Sequence, residues 1–188
     1  KKFIYSFSRK NHGDIIAKYK KIIPSEEVVS SEDYKIWVFW AQGFANAPEL
    51  VKACNAQLNR LNEGRVVNLD LNNLKQYVEI PDYIFEKVDQ NIITLIHLSD
   101  IIRFSLLAKY GGIWIDSTCW LAESLPQYVK DVPFYSPKTV GVTPLPFPSN
   151  SHWCGYCVGT NKINSPFLTF VRDMLLSFGQ TSTYLIDY

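Results

Sequence analysis

An α/β fold, with a central and mostly parallel sheet flanked by helices, is the expectation from three observations. Ile36-Trp37-Val38-Phe39-Trp40, Val66-Val67-Asn68-Leu69 and Ile113-Trp114-Ile115 are short runs of mainly β-prone residues, nearly unbroken rather than alternating, as in strands covered on both faces. Segments of helix length, with apolar residues at helical spacing, lie between them. The connections are short, and repetition of strand, helix and strand implies right-handed crossovers and a parallel sheet.

Residues 1–34 read as a helical preface to a main domain over 35–188. Ile15, Ile16, Tyr19, Ile22 and Ile23 form an apolar stripe closed by Pro24, and Ser25 to Asp33 is a polar, acidic linker. The first strand begins at about Lys35 and is bounded by Gln42-Gly43. Pro48 suits the first turn of a helix, where its missing N–H costs nothing, and Leu50, Val51, Cys54, Leu58 and Leu61 continue that helix until Gly64. Val66–Leu69 is the next strand. Residues 72–90 look irregular or only briefly helical, interrupted by Pro81. A helix is expected from about Thr94 to Tyr110, ended by Gly111-Gly112, because a glycine adopts positive φ without a Cβ penalty. Ile113-Trp114-Ile115 is then a short buried strand carrying Asp116 at its carboxyl end, where ligands collect in open α/β sheets. Phe134-Tyr135 and Cys157-Val158 are further strand candidates, separated by a proline-rich loop from Pro137 to Pro148. Pro166 opens a last amphipathic helix through about Phe178.

With 188 residues, 47% hydrophobic and 20% charged, the chain can bury a sizeable core without disulfides or metal. Nineteen basic residues against eighteen acidic leave a formal charge of +1, and no basic block interleaved with aromatics marks a nucleic-acid footprint. No apolar run approaches the roughly 20 residues of a spanning helix. The first residues lack a long apolar core and a small-residue cleavage site, so the expected setting is cytoplasmic. Cys54 and Cys119 fall in apolar patterns and read as core. His152, Cys154 and Cys157 are zinc ligands by type, but no second pair completes a four-ligand site, and small apolar thiols in a strand are the preferred reading.

Chemistry concentrates around Asp116. Asp100 and Arg103 are three residues apart and share a helix face. They form either a plain intrahelical ion pair, or a set in which Asp100 accepts hydrogen bonds from a ribose or base and Arg103 contacts a phosphate or donor sugar. Asp116-Ser117-Thr118 follows a strand, where an oxygen cluster can meet a hard divalent cation and the diphosphate it neutralises. The alternative is a strand-end Asp making a turn with the backbone that follows.

Ser99-Asp100-x-x-Arg103, Leu106-Leu107 and Tyr110-Gly111-Gly112-Ile113-Trp114-Ile115-Asp116 closely resemble the capsular polysaccharide synthesis protein family and its relatives among glycosyltransferases with a DXD motif, which include yeast-type outer-chain mannosyltransferases and clostridial glucosylating toxins. Ile36-Trp37-x-x-Trp40-x-Gln42-Gly43, with Ala47-Pro48-Glu49 and Val51, resembles the same family's first strand and helix. The resemblance implies a type A glycosyltransferase (Rossmann-like) fold that transfers a sugar from a nucleotide-sugar donor, a UDP-sugar in first place, with retention of anomeric configuration. It implies a glycan or lipid-linked acceptor in capsular or surface polysaccharide synthesis, at the inner face of the membrane, and acceptor-side residues beyond Tyr188. Carried over by position, Asp100 holds the donor ribose or sugar, Arg103 contacts the donor, and Gly111, Gly112 and Asp116 belong to the nucleotide-sugar site, with Trp40 and Gln42 lining the nucleotide pocket. Trp40 is core in the other reading. His152 and Trp153 are placed near donor or acceptor by analogy, and a packing Trp beside a loop His is the rival. Asp116 and Thr118 are the implied ligands of Mn²⁺ or Mg²⁺. Thr118 departs from the motif, whose second carboxylate it replaces, and a neutral hydroxyl binds a divalent ion more weakly. Two further readings stay open: a toxin-like enzyme that modifies a protein, and a nucleotide-sugar-binding module without turnover.

Overall fold

The computed structural model describes residues 9–23, 27–138 and 153–181. A four-stranded sheet runs in the order β2-β1-β3-β4, with β1 at Ile36–Phe39, β2 at Val66–Leu69, β3 at Gly112–Ile115 and β4 at Cys157–Thr160. β1 is parallel to both β2 and β3, and β4 is antiparallel to β3. Among the described residues it is accompanied by the α-helices α1 (Gly13–Tyr19), α2 (Glu49–Leu61), α3 (Asp82–Asp89), α4 (Leu95–Tyr110), α5 (Gln127–Lys130) and α6 (Pro166–Thr181). The expected α/β architecture is therefore present, as a mostly parallel sheet flanked by helices.

All four residues of β1 and of β3 are buried, and the two-residue period of a strand divides them between two cores. Trp37, Phe39, Trp114 and Val158 face one core with Ile84 of α3, Leu98, Ile101 and Ile102 of α4, and Leu168 of α6. Ile36, Val38, Ile113 and Ile115 face the other with Leu58 of α2, Val129 of α5, Val29 and Tyr34. Burial on both faces is why these strands read as unbroken apolar runs. Every residue of α4 from Ile101 to Ala108 is buried, so this helix is central rather than amphipathic. Thr94 caps it, its hydroxyl accepting the His97 N–H at 3.3 Å. A single Leu106→Ala change at this depth costs about 2–5 kcal/mol.

Several sequence expectations shift. Trp40 lies just past β1, its N–H donating to the Leu69 carbonyl at 3.0 Å. Phe134-Tyr135 makes one antiparallel bridge, Tyr135 to Gly159, rather than a strand. The segment after Pro81 forms the two turns of α3, since proline at the edge of a helix is harmless to it. The linker is docked: Val28 bridges Lys162, the Val29 N–H donates to the Asn161 carbonyl at 2.8 Å, and Tyr34 is buried. Ile22 and Ile23 lie beyond the end of α1 and are exposed, so the stripe stops at Tyr19. α1 packs on α6 instead through polar and aromatic contacts. His12 Nδ1 lies 2.8 Å from Ser177 Oγ, Tyr19 donates to Asp173 at 2.6 Å and Lys18 pairs with it at 3.0 Å. Most of the proline-rich loop, and Pro24, fall outside the described residues.

Candidate functional site

The strand order reverses between β1 and β3, and the crevice outside their carboxyl ends is where an open α/β sheet binds ligands. Continuing the register of Trp37 with Trp114 sets Phe39 and Trp40 opposite Asp116 and Ser117. Gly111 alone joins α4 to β3, so the helix runs back along the sheet and its amino-terminal half returns to the same end. Asp100, Arg103 and Asp116 therefore meet.

Arg103 is the centre of the cluster. Its Nη1 donates to Asp100 Oδ1 at 2.6 Å and its Nη2 to Asp116 Oδ1 at 2.9 Å. The guanidinium carbon sits 5.1 Å from the centroid of the Trp114 ring, and Trp114 Nε1 donates to Asp116 Oδ1 at 2.6 Å. The arginine side chain is only 8% exposed, whereas Asp100 and Asp116 are 32% and 35% exposed, so the cation is sheathed and the carboxylates reach solvent. Arg103 Nε is buried with no hydrogen-bond partner among the described residues. Burial pushes the Asp100 carboxyl above its usual range, and the nearby Asp116 charge adds to the rise, against the pull of Arg103. This is more than an intrahelical ion pair, because one guanidinium ties a helix to the end of a strand.

Gly155 completes the geometry, and sequence reasoning missed it. A Cβ there would lie 2.8 Å from Arg103 Nη1, so the chain before β4 passes directly over the fork. The Asp116 N–H donates to the Tyr156 carbonyl at 2.8 Å, and the Cys119 N–H closes a turn onto the Asp116 carbonyl at 2.9 Å. Asp70, at the carboxyl end of β2, was missed as well. Its Oδ1 accepts the N–H groups of Asn72 at 2.8 Å and Asn73 at 3.0 Å, and a Cβ on Gly43, where φ is +79°, would stand 3.3 Å from its Oδ2. An acid directly after a strand was the available signal.

The other expected site residues separate. Trp40 is half-buried and Gln42 exposed, both at the crevice end of β1. Thr118 is exposed in the turn after Asp116. Gly111 and Gly112 do not join the site. They sit at the opposite end of β3, about 13 Å of strand from Asp116, and their open faces are filled by the chain itself. A Cβ on Gly111 would meet Val29 Cγ2 at 2.7 Å, and one on Gly112 would meet the Lys35 carbonyl and stand 3.0 Å from Trp37 Nε1. Trp153 packs against the core, edge-on to Phe167 at 6.2 Å, and His152 lies outside the described residues. The four cysteines are free thiols. Burial pushes Cys119 up to about 11 and Cys157 up to about 12, which keeps them protonated and poor metal ligands at neutral pH.

Among the described residues no group of three or more His, Cys, Asp or Glu side chains is arranged to hold a metal ion. Asp116 Oδ1 is already taken by Arg103 and Trp114, which leaves Oδ2 and the Thr118 hydroxyl. Two such oxygens are fewer than a hard divalent cation takes, so a diphosphate and water would have to complete its shell, as is usual for Mg²⁺.

No helix among the described residues is long and apolar enough to cross a membrane. No solved structure matches the chain. A curated relative, the glycosyltransferase afumC of Aspergillus fumigatus, is 29% identical over 128 residues, which cover 63% of this chain and 32% of the relative. The match thus spans about a third of that protein's length. The family profile described as capsular polysaccharide synthesis protein matches residues 1–188, the whole sequence. With a fold and an amino-acid pattern that agree with that match, the chain belongs to the capsular polysaccharide synthesis protein family.

Proposed function

We propose that this chain is a glycosyltransferase that takes a nucleotide-activated hexose, a UDP-sugar in first place, and transfers the sugar to a glycan or lipid-linked acceptor in surface polysaccharide synthesis, with retention of configuration. The observation that carries this reading is Arg103, sheathed in protein yet bound to two solvent-reaching carboxylates, Asp100 on α4 and Asp116 at the carboxyl end of β3. Trp40 and Asp70 lie on the β1 and β2 side, suited to a base and ribose, while Asp100, Arg103 and Asp116 lie toward the diphosphate and sugar. Arg103 itself is sheathed, so its part is to fix both carboxylates by charge-assisted hydrogen bonds and to place a positive charge behind the diphosphate position.

In the transfer, the bond between the sugar C1 and the diphosphate oxygen breaks with its electron pair going to the diphosphate. The acceptor hydroxyl oxygen bonds to C1, and its proton passes to the departing diphosphate. Arg103, held without need of reorganisation, stabilises the charge that develops there. Asp100 accepts a sugar or ribose hydroxyl and so orients the donor. A divalent cation, Mn²⁺ or Mg²⁺, would be held by Asp116 and Thr118 together with the diphosphate and would supply Lewis-acid neutralisation of the leaving group.

A second reading, a nucleotide-sugar-binding module without turnover, is favoured by Thr118 in place of a carboxylate. Melting of the protein with a panel of nucleotide sugars, with and without Mn²⁺, tests both. A ligand at 100 times its Kd adds about 2.7 kcal/mol of stability. Turnover that disappears in Asp116→Ala and Arg103→Ala supports the enzyme. A melting shift without transfer or hydrolysis supports the module, and no shift from any nucleotide sugar removes the donor site altogether.

A further inference from the structure

Two aromatic rings beside Asp116 are not absorbed by the core. Trp120 is 61% exposed and Tyr156 is 48% exposed. Both stand on backbone anchored at the site. The Tyr156 carbonyl accepts the Asp116 N–H at 2.8 Å, and the Cys119 thiol, one residue before Trp120, lies 4.0 Å from that same carbonyl. On the other side of Trp120, the Leu121 carbonyl accepts Gln57 Nε2 at 3.1 Å, so the ring is carried on a loop pinned to α2. Hydrogen bonding to the Cys154 thiol pushes the Tyr156 phenol up to about 12, which keeps it a neutral hydroxyl at physiological pH.

Large exposed aromatics rimmed by polar groups mark binding surfaces. The ligand that suits this pair has an apolar face and hydroxyl edges. The C–H face of a pyranose ring lies flat on an indole or phenol, while the Ser117 hydroxyl and the phenol O–H are the polar groups beside these rings that its hydroxyls can meet. An anionic membrane fits poorly, because Asp116 and Glu123 flank this turn and residues 116–124 contain no Lys or Arg.

We propose that Trp120 and Tyr156 form the acceptor subsite, a platform on which a sugar ring of a neutral glycan lies with a hydroxyl directed toward Asp116. The proposal rests on the donor reading above for its meaning in catalysis, but sugar binding can be measured without it. Saturation-transfer NMR on the full chain with neutral trisaccharides of mannose, glucose and galactose is the test. At least one trisaccharide is expected to bind, and to bind about tenfold more weakly to Trp120→Ala and Tyr156→Ala. Tyr156→Phe, which keeps the ring, should restore most of the affinity. Equal binding by wild type and both alanine variants overturns the platform. So does absence of binding at about 10 mM by every trisaccharide, or quenching of Trp120 fluorescence by anionic phospholipid vesicles and not by sugars. Trp120→Ala should keep the melting shift given by a nucleotide sugar, so a failure of the donor site and a failure of the platform give different results.

Discussion

Replacing Arg103 by Met tests whether one guanidinium joins helix and strand. The wild-type cation lies 2.6 Å from Asp100 and 2.9 Å from Asp116, and its own side chain is almost wholly buried. Removing one partner of a fully buried ion pair costs about 3–5 kcal/mol. Here both carboxylates are about one-third exposed and can recover hydration, which lowers the expected loss to about 2–3 kcal/mol. In a chain of this size that corresponds to a fall in Tm of about 5–10 °C. Urea titrations of Arg103→Met, Asp116→Asn and the double variant give the coupling directly, and about 1–2 kcal/mol is expected between these two positions. If Arg103 serves only an intrahelical pair with Asp100, the single change costs about 0.3–0.5 kcal/mol and the coupling to Asp116 vanishes. A result of that size would refute the three-residue cluster.

Gly155→Ala should displace the guanidinium, because the added methyl meets Arg103 Nη1 and the fork is tied at both ends. We expect a loss of about 1–2 kcal/mol together with weaker nucleotide-sugar binding by calorimetry, and unchanged binding would show that the fork tolerates movement. Gly112→Ala, at φ +86° against the Lys35 backbone, should cost about 3 kcal/mol or more in urea titration or prevent folding, whereas a mild effect would contradict the close approach of these segments. Acid should loosen α1 from α6. His12 is held below its usual value by burial, so the unfolded chain takes up its proton first and stability falls as pH drops below about 6.5. Burial raises the Asp173 carboxyl, but hydrogen bonds from Tyr19 and Lys18 outweigh that and hold it below its ordinary value, so its contribution is lost only at more acid pH, as pH falls through the folded value. Protection of the amides in residues 13–19, taken relative to the intrinsic exchange rate at each pH, should fall between pH 7 and 5 in wild type and lose that dependence in His12→Gln.

The parts of the fold legible in the sequence are those decided by local pattern. β1, β2, β3, α2 and α4 follow from apolar runs, helical spacing and glycine or proline punctuation. Asp100, Arg103 and Asp116 were legible as a group because two of them share a helix face and a single residue connects that helix to β3. Gly155 was not, because its constraint is a side chain on another element, and a glycine beneath a guanidinium looks like any other glycine in sequence. The same ambiguity misplaced Gly111 and Gly112. Their smallness serves close packing against Val29 and Lys35, and sequence does not distinguish that need from a cradle for a ligand. Phe134-Tyr135 has the composition of a strand but pairs only at Tyr135, since pairing depends on how long the neighbour stays alongside.

The bridge at Tyr135 also governs how the sheet ends. An outer strand with unpaired N–H and C=O groups is a template for another chain. On the β4 side, Tyr135 exchanges both backbone hydrogen bonds with Gly159, the Thr160 hydroxyl donates to the Pro133 carbonyl at 2.7 Å and the Asn161 N–H donates to the Val132 carbonyl at 3.1 Å. These contacts hem the sheet without adding a strand. Among the described residues no strand pairs with the outer edge of β2. A strand that extended this sheet would therefore pair with the four residues that end in Leu69, immediately before Asp70, at the same end of the sheet as Asp116.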